Sequence, residues 1–454
     1  MRPLPPGPSG HWLLGSMREL REEPLELYRR TTERYGDVVH VRLLRKRLVM
    51  VTNPDDVSHV LKEHARNYTK MTHGVRKLRK LMEGTAVMDG ERWRQRRKLI
   101  NPSFRKDALR DFFPMMRMAT QAALSRWRPS AEGAEALDFS HQVSRLTMEI
   151  ACRAFFGGDG PPGPDVFDAI GVLLDEARVR PYRMVNPPLW FPNRANRAYN
   201  RAVGAIGAWA QAAVKEREQR DAPSTDLLSA LLRGSSEVAG LTMGELLQEL
   251  QTFLVAAHDT TANAILWTLY YLSRDSTLRR TVVDEARALD DGPQSPDDLS
   301  RLPTLERAFN EALRLKSPAW ILPRSPLEDD EIGGYRIPKG CSVYISPYLT
   351  HRHPDHWPDA ETFDPSRFDQ AACAKRHPTA FIPFGAGPRQ CVGREFARME
   401  ALVVLSLLLS HYRFDVLSRE AIRQVPLVTL KPNTFRVRLS PSRPRNTQSL
   451  PAHA

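Results

Sequence analysis

In the stretch FIPFGAGPRQCVGREFARME, residues 381 to 400, one cysteine, Cys391, stands between glycine-bearing turns with no second thiol near enough to share a metal or close a bridge. A cysteine acts as metal ligand or nucleophile through its thiolate, and the unpaired N–H groups at a helix start lower its pKa. The residues after Cys391 are helical in pattern, so the spacing predicts a sulfur presented at a helix N-terminus. Gly387 permits a tight turn before it, and Gly393 leaves no side chain where the helix lies against something flat. Arg389 can reach a carboxylate of the same ligand by paired hydrogen bonds. A buried, inert cysteine is the competing reading of G-x-x-x-C taken alone. A dinucleotide fingerprint is excluded, because its last glycine is missing and no strand-helix-strand unit surrounds the stretch.

Three further groupings carry chemistry. In AAHDTTA, residues 256 to 262, Asp259 and Thr260 put an acid and a hydroxyl inside a long helical pattern. A threonine that bonds back to the preceding turn tends to open or bend a helix, and a widened groove there leaves room for small molecules and water. Taken alone, D-T-T reads as a helix cap. His258 turns off the direction shared by Ala256 and Thr260, which argues against a metal ligand and leaves its role open. Glu311 and Arg314, at i and i+3, share one helix face, and Trp93 and Arg97, at i and i+4, share another.

The elements that must position these groups are mostly helical. Residues 37 to 54 alternate β-branched residues around a short basic turn and predict a hairpin. From about residue 55 to 320 the pattern is helical, with proline and glycine clusters at 157–165, 180–193 and 289–303 marking loops. The stretch 243–274 predicts one helix long enough to cross the molecule; Gln251, His258, Asp259 and Asn263 exclude a membrane span. Past 320, short strands and turns return, and 394–412 predicts a strongly apolar closing helix.

The chain has 454 residues, 41% of them hydrophobic, and four widely spaced cysteines, Cys152, Cys341, Cys373 and Cys391, a usage that points to a reducing compartment. Its formal charge of +13 includes the basic cluster RWRQRRK at 92–98. With no zinc-ligand spacing, RNA-binding aromatic motif or basic tail, the charge points to an acidic protein partner and not to nucleic acid. The proline-rich start encodes neither a signal peptide nor an anchor.

Phe384, Gly387, Arg389, Cys391 and Gly393 fit F-x-x-G-x-R-x-C-x-G, and on this string the sequence resembles the haem-binding loop of the cytochrome P-450 family. The resemblance runs along nearly the whole chain. AAHDTTA is similar to the family's oxygen-binding segment, with Ala257 where glycine is usual. Glu311 and Arg314 resemble its E-x-x-R, with Arg367 of FDPSRF as the downstream partner, and HRHP is similar to H-R-D-P with His353 replacing the acid. WRQRR resembles W-x-x-x-R, and LPPGPSG the hinge that follows the anchor in membrane-bound relatives.

The resemblance implies a mainly α fold with a smaller β region, a single haem-containing domain over 1–454, with a proline-rich segment to residue 20 and a flexible tail from 441. It implies haem b held by Cys391, with Trp93, Arg97 and Arg324 at the propionates and Phe384 tuning the thiolate, whose electron push favours O–O cleavage. Asp259 and Thr260 then deliver protons, and Glu311, Arg314 and Arg367 form a structural network. The implied substrate pocket draws on Met82, Val87, Phe253, Ala257, Trp320, Ile321 and Thr429. A bulky Trp320 favours a compact hydrophobic substrate, a terpenoid or other natural product, over a fatty acid. Electrons come from NAD(P)H through a ferredoxin or flavodoxin with its reductase, docking on Arg94, Arg96, Lys98 and Arg398. The expected protein is a cytoplasmic, soluble bacterial-type monomer. A haem-thiolate peroxygenase or isomerase and a haem sensor are the rival readings; retention of the acid-threonine pair argues against the first.

Overall fold

The computed structural model describes residues 2–79, 83–133, 135–157, 163–180, 183, 186–219, 227–234 and 241–442. The long helix, Met243–Leu272, starts at a capping box in which Thr242 and Glu245 each accept the other's backbone N–H, at 3.2 and 3.1 Å. Its 30 residues span about 45 Å at 1.5 Å per residue. Helices Phe139–Phe156, Pro303–Leu315 and Arg394–His411 pack around it, which is why its sequence is apolar on most faces. The helix stays α-helical throughout, although the Thr260 hydroxyl does bond back to the Ala256 carbonyl at 2.8 Å. The expected opening of the helix is therefore absent.

The β region is built on the predicted hairpin, Val38–Leu43 and Lys46–Val51, whose turn places Leu44 at φ +56°. Strands Ser342–Ile345, Leu322–Pro326 and Tyr68–Thr69 extend it to a five-stranded sheet in that order. Alternation along the strands separates two cores: Val38, Val49 and Val51 face Leu61, Tyr68 and Ile382, whereas Val39, Leu48 and Met50 face Tyr28, Trp320 and Leu430. The proline-rich start lies along the hairpin, with the His40 N–H donating to the Pro6 carbonyl at 2.7 Å, so it covers a strand edge that would otherwise be open. Of the flexible tail expected from 441, Pro441 instead ends the strand Arg436–Pro441 and the Ser442 N–H donates to the His411 carbonyl at 2.9 Å, while residues from 443 lie outside the described residues; no helix among those described is long and apolar enough to cross a membrane.

Candidate active site

The cysteine loop is locked from four sides. The Cys391 N–H donates to the Phe384 carbonyl at 2.9 Å. Gly387 has φ +68°, and a Cβ there would sit 1.8 Å from the Leu61 carbonyl oxygen, so only glycine fits this approach. The Ile382 N–H donates to His351 Nε2 at 2.8 Å, while the other ring nitrogen donates to the Arg314 carbonyl at 3.1 Å. His351 is thus a neutral tautomer bridging the loop to the E-x-x-R helix, and burial pushes its pKa down to about 3. Arg389 ion-pairs with Asp89, donates to the Met88 carbonyl at 2.7 Å and lies 3.6 Å over the Trp93 ring.

Cys391 itself lies deep among protein atoms and yet has an exposed side chain, a combination that an internal cavity produces. Burial pushes its thiol pKa up, and the Gly393 N–H, Arg97, Lys70 and Arg394 pull against that shift. The thiolate expected from the helix start alone is therefore not secured by protein groups; a coordinated cation deprotonates a thiol outright. At Gly393 an added Cβ would make ordinary contacts, 3.8 Å from Phe104 and 4.0 Å from the sulfur, on the sulfur's own side.

Cations outnumber anions around this loop: Arg97 and Lys70 act on the sulfur, Arg324 and Arg389 act on Lys70, and Asp89 is the carboxylate that answers Lys70, Arg324 and Arg389. Arg324 is 5% exposed, and burial first, then Arg389, pushes its pKa down to about 10. Lys70, brought beside it because Thr69 pairs with Ser325 in the sheet, is pushed down to about 7 by burial and by Arg324 and Arg389. Burial also lowers Arg97, against the pull of a Cys391 thiolate. Among the described residues neither Arg97 nor Arg324 forms a direct ion pair with a carboxylate; Asp89, already paired with Arg389, acts on Arg324 only from farther away. Uncompensated buried charge is costly, so the arrangement suits a ligand carrying two carboxylates beside a metal that takes sulfur. Haem b meets both requirements.

On the long helix, Ala256 is exposed and Ala257, Asp259 and Thr260 are half-buried, although Leu250 to Val255 and Thr261 to Leu269 are all buried. The long helix thus has free surface only around the acid-threonine pair in this stretch. Asp259 accepts a hydrogen bond from the Thr429 hydroxyl, which in turn accepts one from Asn263 at 3.1 Å. His258 points elsewhere, its ring edge-on to Phe167 at 5.4 Å, and burial pushes its pKa down.

Glu311 and Arg314 are fully buried and doubly bonded to each other at 2.7 Å. Arg367 stands 3.7 Å from the same carboxylate and is partly exposed. The network also holds Asp364 through its N–H at 2.9 Å, so it fixes the chain leading to the cysteine loop.

Several expected positions move. Trp320 is 2% exposed, donates its ring N–H to the Leu427 carbonyl at 2.9 Å and packs on Tyr28, so it is a core residue of the β region and not a cavity wall. Ile321 packs on that same core. Thr429 is buried as the partner of Asp259. Phe253 stacks on Phe104 and meets Phe155 edge-on, Val87 is buried, and Met82 lies outside the described residues. Of the basic docking residues, Arg96 turns inward toward Glu245 and Arg398 pairs with Glu306, which leaves Arg94 and Lys98 exposed. The sequence reading missed Asp89, Lys70 and Glu400, and within HRHP it gave His351 no role. Glu400 is buried beside Thr261, and burial pushes its carboxyl pKa far up. The one local signal for Asp89 is its place as the acid ahead of helix Gly90–Ile100, because its bonds to Thr69, Lys70 and Arg389 are formed across the fold.

The family model for cytochrome P-450 matches residues 5–439. Among curated proteins, a cytokinin hydroxylase of Arabidopsis thaliana is 32% identical over 363 residues, covering 77% of this chain and 70% of its own. Cyclooctatin synthase of Streptomyces melanosporofaciens is 28% identical over 445 residues, covering 95% and 94%. A retinoic-acid-bound cyanobacterial cytochrome P-450 superimposes with a TM-score of 0.85 at 25% identity, over 97% of this chain and all of its own. The family model, the cysteine loop and the unpaired cations around it agree: the chain belongs to the cytochrome P-450 family and is a haem b monooxygenase.

Proposed function

We propose that the enzyme inserts one atom of dioxygen into a C–H bond of a hydrophobic natural product, with electrons from a ferredoxin or flavodoxin and its reductase. When bound through Cys391, haem supplies the activation of dioxygen. The observation that carries the reading is the free surface around Ala256 and Thr260 in an otherwise buried helix. The Thr260 O–H donates to the Ala256 carbonyl, which leaves its oxygen lone pairs to accept from a water or a protonated group. Asp259, turned toward Thr429, is placed to carry protons between that hydroxyl and the Thr260 side of the helix.

The substrate class rests on two matches: cyclooctatin synthase, aligned almost end to end, and the fold neighbour that holds retinoic acid. The core position of Trp320 removes the argument from cavity shape for a compact terpenoid over a longer chain. A ligand series followed by the haem spin-state change decides between them.

Thr260→Ala removes a hydroxyl and little volume, so haem content and substrate affinity persist. Reduced nicotinamide is still consumed with the redox partner, but more of it ends as hydrogen peroxide and less as hydroxylated product. Asp259→Asn instead slows the whole cycle, by about 100-fold, the lower range for a positioned proton carrier. The measurement is product and peroxide per cofactor consumed; an unchanged ratio in Thr260→Ala removes that residue from the role.

Charge steering of an acidic partner predicts that turnover falls steeply with added salt, since exposed charges are screened over about 10 Å at 0.1 M. Arg92 and Arg94 are exposed but partnered by Glu245 and Glu91, so Lys98→Glu is the sharper probe of the patch. A flat salt response at unchanged substrate affinity rejects the docking surface. Four free cysteines support a reducing compartment, the cytoplasm.

A further inference from the structure

We propose that His59, His64 and Asp330 bind a zinc ion on the outer side of the segment that backs the cysteine loop. Residues His59–Glu63 form one π-helical turn, closed by the His64 N–H donating to the His59 carbonyl at 2.8 Å. In an α-helix, residues five apart point about 140° away from each other; the wider turn sets one above the other. The two imidazoles accordingly stack with centroids 4.0 Å apart and planes 19° apart.

Asp330, in strand Asp330–Ile332, supplies the carboxylate. One of its oxygens lies 3.1 Å from His59 Nε2 and accepts the Tyr68 hydroxyl at 2.7 Å, and the other accepts the Glu331 N–H at 2.8 Å. The carboxylate is thereby oriented by two donors that are not ligands, as metal-binding carboxylates are. One potential ligand atom from each of the three residues lies within 4.8 Å of the other two.

Two imidazole nitrogens and one carboxylate oxygen are a zinc donor set, with water completing four-coordination. Zinc ligands at about 2.0–2.1 Å in a tetrahedron stand roughly 3.4 Å apart, a separation His59 and Asp330 already meet. His64 is exposed, so its ring can rotate to close the remainder. Coordination through Nε2 takes the His59 tautomer that carries its proton on Nδ1, so the contact with Asp330 changes from a hydrogen bond to a shared ligation of the ion. The ion would clamp the turn whose Leu61 carbonyl excludes any side chain at Gly387.

The test is calorimetric titration of zinc chloride into the haem-loaded full chain without a histidine tag. One saturable site is expected in the wild type. Loss of a ligand in His64→Ala or Asp330→Asn weakens it by about 100-fold or more, since even residues behind a ligand are worth 10–100-fold. Zinc should also raise the melting temperature of the wild type and leave His64→Ala unmoved. His64 is exposed, so its variant folds even if Asp330→Asn does not. The group His353, His356 and His377, with ring spacings of 5.4 and 5.7 Å, is the control. His356→Ala should bind as the wild type does. No saturable binding, unchanged affinity in His64→Ala, or a loss confined to His356→Ala overturns the assignment.

Discussion

Reduced Cys391→Ala protein under carbon monoxide is expected to show no red-shifted Soret band, whereas the wild type should show it. Only thiolate ligation gives that band, and the other cysteines cannot substitute: Cys152 is buried within helix Phe139–Phe156, while Cys341 and Cys373 lie in other parts of the fold. The loop does not depend on the sulfur for its shape. Its backbone is held by the Phe384 carbonyl, by His351 and by the contact of Gly387 with Leu61, all of which alanine preserves. The variant should therefore fold and still present Arg97 and Arg324, so any residual pigment reports haem held by charge and shape without its sulfur. Persistence of the band would move the ligand away from Cys391.

Glu311→Ala is expected to be the most destabilising single change described here. Arg314 donates to both Glu311 oxygens and to the carbonyls of His351, Ala360 and Thr362, at 2.7 to 3.0 Å, with no exposed surface. Removing the carboxylate leaves a buried guanidinium unpaired, at a cost of about 3–5 kcal/mol. Total stabilities are only about 5–15 kcal/mol, so the variant should be recovered unfolded or without haem. Arg367→Ala is the informative comparison. That guanidinium is partly exposed and 3.7 Å from the carboxylate, so its loss should cost only about 1.5 kcal/mol. Melting temperature and haem content are the measurements. Equal losses in the two variants, or a wild-type melting temperature in Glu311→Ala, would remove the buried pair from its structural role.

The hairpin within 37–54, the long helix within 243–274, the closing helix within 394–412 and the cysteine loop were all legible in the sequence. Each is written in residues no more than a few positions apart: β-branched alternation, a helical pattern free of proline, an apolar run, a glycine before a turn. The family resemblance rests on the same kind of local string, which is why Cys391, Thr260 and the Glu311–Arg314 pair could be singled out. What the tertiary structure decided concerns partners far apart in the chain. Asp89 meets Arg389 across 300 positions and Asp259 meets Thr429 across 170. Whether a hydrophobic residue such as Trp320 lines a cavity or a second core depends on which face of the sheet its neighbours occupy, and Arg96 turns inward only because Glu245 and Glu249 arrive beside it. The π-turn that stacks His59 on His64 breaks the α-helical period on which sequence patterns depend. Spacing determines which side chains share a face; only the folded chain determines what that face meets, because burial and charge pairing are set by residues whose approach no local period encodes.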